Sequence, residues 1–150
     1  MRVYLVIIDD TEEALVALRF ASRRAAKTDG TVHLLALVPP QDFNAFAGVQ
    51  ATIEEEARAR AEALVTSAAG NILSESGRMP VIAVIQGEGE KVVRDYLAGH
   101  EEVSALVLST AKDGGSGPLV TYFAANAGHL PCPLFVIPGS LSLEDIDRLS

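Results

Sequence analysis

The chain has 150 residues, 49% of them hydrophobic, enough for one sizeable core and too little for two ordinary domains, so a single domain over residues 1–150 is expected. Its formal net charge of −8 would repel a nucleic-acid backbone or an anionic bilayer surface, which argues against DNA, RNA and membrane partners. The single cysteine, Cys132, has no internal disulfide partner, and the opening MRVYLVIIDD is too short for a signal-peptide core or a membrane span; a cytoplasmic protein is the expectation.

The first apolar run, VYLVII after Arg2, ends in Asp9 and Asp10. Ala14, Leu18, Ala21 and Ala25 then recur at helical spacing, with Thr11 placed as an N-cap and Gly30 as the stop. VHLLALV follows Thr31, and Pro39 to Gly48 reads as the one longer loop. Ile53, Ala57, Ala61, Leu64, Ala68 and Ile72 form the apolar stripe of a second helix, with Glu54 to Glu56, Arg58 and Arg60 on its solvated side. VIAVI comes after Pro80, and Val92, Val93, Tyr96 and Leu97 mark a third helix. VSALVL follows Glu102, Leu119, Val120, Phe123, Ala124 and Ala127 mark a fourth helix, and PLFVI follows Cys132. Gly139 to Ser150 reads as a polar tail with room for a short helix.

The five runs are near-continuously apolar rather than alternating, as strands covered on both faces should be. Alternation with helices and right-handed crossovers then predict an α/β fold, a doubly wound five-stranded parallel sheet, for which strand order 3-2-1-4-5 is adopted as the expected arrangement. In that order the chain reverses direction between the first and fourth strands, and ligands bind outside the strand ends there. Ile8, Asp9, Asp10 and Thr11 would meet Ser109 and the glycine-rich STAKDGGSGPLVTYF at that point, with Leu37 and Val38 as a neighbouring wall. Gly114, Gly115 and Gly117 match neither GxxxxGK[ST] nor GxGxxG, so spacing leaves two readings open, a phosphate cradle or a plain turn.

Paired aspartates after a first strand resemble a receiver domain, but phosphotransfer needs an aspartate ending the third strand and a lysine ending the fifth. Gln86-Gly87 and Pro138-Gly139 stand there instead. His33, His100 and His129 fall in different units and read as surface or helix-terminal residues, with no pair suggesting a metal. Cys132, between Pro131 and Pro133, reads as a partly buried thiol rather than a nucleophile. No base, nucleophile or metal set is visible, and an enzyme is not expected.

VIIDDTEEALVALRFA, VHLLALV, IQGEGEKVV with its Gly87, and LVLST followed by the glycine-rich loop, Thr121 and HLPCPLFVIP together resemble the universal stress protein family over nearly the whole chain. The resemblance implies that family's adenine nucleotide alpha hydrolase-like architecture and a stress-response role. Its nucleotide-binding members carry GxxG, nine residues, then G and Ser or Thr, and here that pattern is damaged. Ser109 stands at the first glycine, Lys112 near the second and Val120 at the last, with Thr121 as the hydroxyl partner, in a loop about two residues short. Asp9 matches the aspartate facing adenine, beside Ile8, and Leu37 the apolar residue next to it, while Gly114 keeps the loop pliable. The implied ligand is ATP or AMP, with Mg²⁺ to offset an acidic mouth, bound without turnover. The competing reading is a ligand-free interaction module with a vestigial pocket. The family's habit of pairing through its last strand, with the apolar run between Pro133 and Pro138, implies a homodimer.

Overall fold

The computed structural model describes residues 1–40 and 47–150, with side chains from 52 onward in the second stretch. In chain order it contains β1 (Val3–Ile8), α1 (Glu12–Lys27), β2 (Thr31–Val38), α2 (Ala47–Ser76), β3 (Val81–Gln86), α3 (Gly89–Gly99), β4 (Ala105–Ser109), α4 (Gly117–Ala125), a 3-10 turn (Ala127–His129), β5 (Leu134–Ile137) and α5 (Leu143–Leu149). The strands form one sheet in the order β3-β2-β1-β4-β5, and every pairing is parallel. The doubly wound α/β architecture expected from the runs is the one observed.

Residues along β1 alternate between two cores, as the two-residue period of a strand requires. Tyr4, Val6 and Ile8 pack with α1, α2 and Ile146 of α5, whereas Val3, Leu5 and Ile7 pack with α3 and α4. Burial is complete along β1 and β4 because helices cover both faces. At the edges the apolar run no longer implies burial: Val81 and Ile82 of β3 and Val136 of β5 are exposed. The stripe expected on α2 is present, and Val65 and Ala69 join it in the buried set.

Several local expectations are corrected. Thr11 does cap α1, its hydroxyl accepting from the Ala14 N–H at 3.4 Å. The helix, however, ends at a Thr28 cap, and Asp29 rather than Gly30 takes the left-handed conformation, with φ of 54°. Gly30 N–H reaches back to the Ala25 carbonyl at 2.8 Å, and a Cβ there would lie 2.5 Å from the Arg2 carbonyl oxygen, so close approach to the chain entering β1 is what calls for glycine. Ala47 and Gly48 already belong to α2 rather than to the preceding loop, whose residues 41–46 lie outside the described set. Ala127 lies in the 3-10 turn beyond α4.

The C-terminal segment is more than a polar tail. Ser142 caps α5 by accepting from Asp145 N–H at 3.1 Å, and Ile146 is fully buried in the α1 core. Arg19 of α1 donates twice to Asp147, at 2.9 and 2.8 Å, and Lys27 donates to the Asp147 and Ser150 carbonyls. That bidentate bond with Arg19 holds the Asp147 carboxyl below its ordinary pKa. His33 is likewise not a surface residue. It is buried on β2 with Nδ1 2.8 Å from the Tyr96 hydroxyl, and the Tyr96 ring stacks on His100 at 3.8 Å. Cys132 is half-buried, and desolvation pushes its thiol pKa up, which suits an inert side chain.

Candidate functional site

β1 and β4 lie side by side at the centre of the sheet, and α1 leaves one face while α4 covers the other. The two helix starts therefore diverge beyond the strand ends and leave a cleft of about 580 Å³, counting its open mouth. Its floor is Ile7 and Val107 to Ser109, one wall is the start of α1 from Thr11 to Ala17, and the other is the start of α4 from Ser116 to Val120. Ala14 and Ala17 are buried small residues on the α1 wall, and their short side chains leave the space open.

Asp9 stands half-buried at the cleft, held by its neighbour: Thr11 donates both its backbone N–H, at 3.0 Å, and its hydroxyl to Asp9 Oδ1. Thr11 in turn caps α1, so the helix start and the carboxylate are oriented by one side chain. Asp9 Oδ2 has no protein partner among the described residues and is available to accept from a ligand N–H or O–H. Ser109 is buried and donates to the Thr110 carbonyl at 2.9 Å, which leaves its oxygen as an acceptor at the cleft floor.

The glycine-rich loop that follows is closed on itself. Ala111 N–H donates to the Gly115 carbonyl at 2.8 Å, Gly114 N–H to the Ala111 carbonyl at 2.9 Å, and Gly115 N–H to Asp113 Oδ1 at 2.9 Å. Gly114 adopts φ of 93° and Gly117 φ of 68°, so glycine is needed at both for the turn itself. The loop is pinned behind by Thr110, whose N–H donates to the Ile137 carbonyl and whose hydroxyl accepts from Gly139 N–H, both at 3.0 Å.

Of the residues singled out in the sequence, Asp9, Ser109 and Val120 come together at the cleft. Ile8 points to the opposite core, and its neighbour Ile7 lines the cleft in its place. Leu37 packs where α3 begins: a Cβ on Gly89 would sit 3.3 Å from Leu37 and 3.4 Å from Leu119, which itself lines the cleft. Lys112 and Gly114 are exposed on the loop and Thr121 is exposed on α4, all three off the cleft lining. Glu13 lines the cleft as part of the acidic mouth expected from the sequence, whereas Ala14, Ala17, Ser116, Pro118 and Leu119 are lining residues that the sequence motifs did not single out. The four-residue spacing from Glu13 to Ala17 on the helix capped by Thr11 was the available signal.

Among the described residues, no group of three or more His, Cys, Asp or Glu could hold a metal ion, and no helix is long and apolar enough to cross a membrane.

The parallel order with a cleft at the reversal between β1 and β4 places the chain among doubly wound α/β proteins, a fold class in which ligands, where bound, sit beyond the strand ends at that reversal. It belongs to the universal stress protein family, whose profile matches residues 1–138. No curated protein matches the chain. Among solved structures it is similar to the universal stress protein UspA from Lactobacillus plantarum, at 20% identity and a TM-score of 0.76 over 91% of this chain and 97% of that one. A universal stress protein family protein from Arabidopsis thaliana with AMP bound matches at 15% identity and a TM-score of 0.62, over 92% of each chain. The universal stress protein from Archaeoglobus fulgidus in complex with dAMP matches at 18% identity and a TM-score of 0.55, over 91% of this chain and 97% of that one.

Proposed function

We propose that this protein binds an adenine nucleotide in the cleft between α1 and α4 and acts by occupancy rather than turnover, as a cytoplasmic stress-response protein. The observation that carries this reading is the half-buried Asp9 at the switch-point cleft, oriented by Thr11 and with one oxygen free for a base or sugar donor. The Ser109 hydroxyl oxygen adds an acceptor on the floor, and the apolar side chains of Ile7, Leu119 and Val120 suit a planar base. The bound AMP and dAMP of the two structural relatives support the class of ligand. Where a di- or triphosphate enters, Mg²⁺ would come with it.

The same reading includes a homodimer through the β5 edge, where Val136 is 38% exposed on a strand with only one neighbour. The test of the binding claim is thermal shift with AMP on the wild type and on Asp9→Ala. Saturable stabilisation that weakens in the variant is expected, because a polar contact worth about 1 kcal/mol or more is removed. No shift at millimolar AMP would favour a ligand-free interaction module.

A further inference from the structure

A universal-stress-protein cleft that takes an adenine nucleotide must also deal with the phosphates, and here the surroundings are unfavourable to them in three independent ways. The charged side chains lining the cleft are Asp9 and Glu13, both acidic, and no Lys or Arg lines it among the described residues. Residues 41–51, QDFNAFAGVQA, contain no Lys, Arg or His either, so that segment adds no cation wherever it lies. The loop N–H groups of Ala111, Gly114 and Gly115, which would otherwise turn toward an anion, are spent on the Gly115 carbonyl, the Ala111 carbonyl and Asp113. The α4 start also offers one donor fewer than usual, because Pro118 occupies its first turn without an N–H.

Building on the proposed adenine-nucleotide reading, we propose that the cleft selects ligands of low negative charge, adenosine and AMP, and discriminates against ADP and ATP. Base and sugar supply the binding through Asp9, Ser109 and the apolar walls, and each further phosphate adds charge facing two carboxylates without gaining a cation or the closed-off amides of Ala111, Gly114 and Gly115. A phosphate monoester already carries about two negative charges at neutral pH, and the longer chains carry more. At the effective dielectric of a partly exposed cleft, repulsion between unit like charges within about 10 Å corresponds to about tenfold or more in affinity.

The experiment is titration calorimetry of adenosine, AMP, ADP and ATP against the wild type, Glu13→Gln and Glu13→Lys, at about 50 mM and about 500 mM salt. Adenosine and AMP should bind at least about tenfold tighter than ATP at low salt. The gap should shrink at high salt, on adding Mg²⁺, and progressively from Glu13→Gln to Glu13→Lys. ATP binding as tightly as AMP, or a gap indifferent to salt and to both Glu13 variants, would overturn the charge selectivity while leaving adenine binding intact. If none of the four ligands binds, the adenine-nucleotide reading itself falls, and the selectivity with it.

Discussion

Gly139 follows β5 and lies against the start of the loop that borders the cleft, so Gly139→Ala perturbs the site from behind. A Cβ at this position would stand 2.0 Å from the Thr110 carbonyl oxygen and 2.8 Å from the carbonyl carbon and oxygen of Ala111. All three are backbone atoms with no flexible end to swing aside, so to restore ordinary contact one segment must retreat by about 1.4 Å. Retreat strains the bonds that tie β5 to the loop, Gly139 N–H to the Thr110 hydroxyl and Thr110 N–H to the Ile137 carbonyl, both 3.0 Å. Overpacking of this kind costs about 1–3 kcal/mol, and a weakened hydrogen bond adds about 1 kcal/mol. For a chain of this size the sum corresponds to a melting temperature lower by about 5–12 °C. Differential scanning calorimetry reads it, with Gly70→Ala as the control of opposite sign: Gly70 lies in α2 with no atom within 4 Å of an added Cβ, so alanine should be neutral or stabilising by up to about 1 kcal/mol. A Gly139→Ala protein melting within about 1 °C of the wild type would refute the close-packed turn.

The His33 environment predicts acid sensitivity. Burial is the largest influence and lowers the His33 pKa from its ordinary value of 6.5, with Glu102 opposing the shift and His100 adding to it. Because the folded state then holds His33 neutral while the unfolded chain takes up a proton, its contribution to stability is intact above pH 6.5 and declines as pH falls below that value. Melting temperature should therefore drop more between about pH 7.5 and pH 5 in the wild type than in His33→Gln, and an equal drop in both would contradict this. At the β5 edge, Val136→Lys should convert the proposed homodimer to a monomer, since an ammonium buried there without a counter-charge costs several kcal/mol. Phe135 is the poorer choice for the same test, because it packs edge-on to Phe20 at 5.9 Å with the Arg24 guanidinium over its ring. Light scattering that finds the wild type monomeric, or the variant still dimeric, would remove the β5 interface.

The strands and helix faces were legible because they rest on local periodicity. VYLVII and ALVLS are apolar at every position, and the Ala14–Leu18–Ala21–Ala25 spacing repeats the helical turn. What escaped depends on contacts far apart in the chain. Gly30 reads as a helix stop, yet its constraint is the Arg2 carbonyl, and Gly139 is constrained by Thr110 and Ala111. His33 reads as an isolated histidine until α3 brings Tyr96 and His100 against it. Within the site, the end of β1 was readable but its parity was not: Ile8 and Ile7 differ by one position and so face opposite cores. The spacing of Gly114, Gly115 and Gly117 identified a turn and left open whether its amides faced a ligand; those of Gly114 and Gly115 instead donate to the Ala111 carbonyl and Asp113.

Whether an adenine ligand sits between the ends of β1 and β4 is read from amide chemical-shift mapping by NMR with AMP. Saturable shifts are expected at Asp9 to Ala14, Ser109, Gly117, Leu119 and Val120, with Asp9→Ala reducing the affinity and with α5 and the β3 edge unperturbed. Shifts confined to another surface, or none at millimolar AMP, would contradict it.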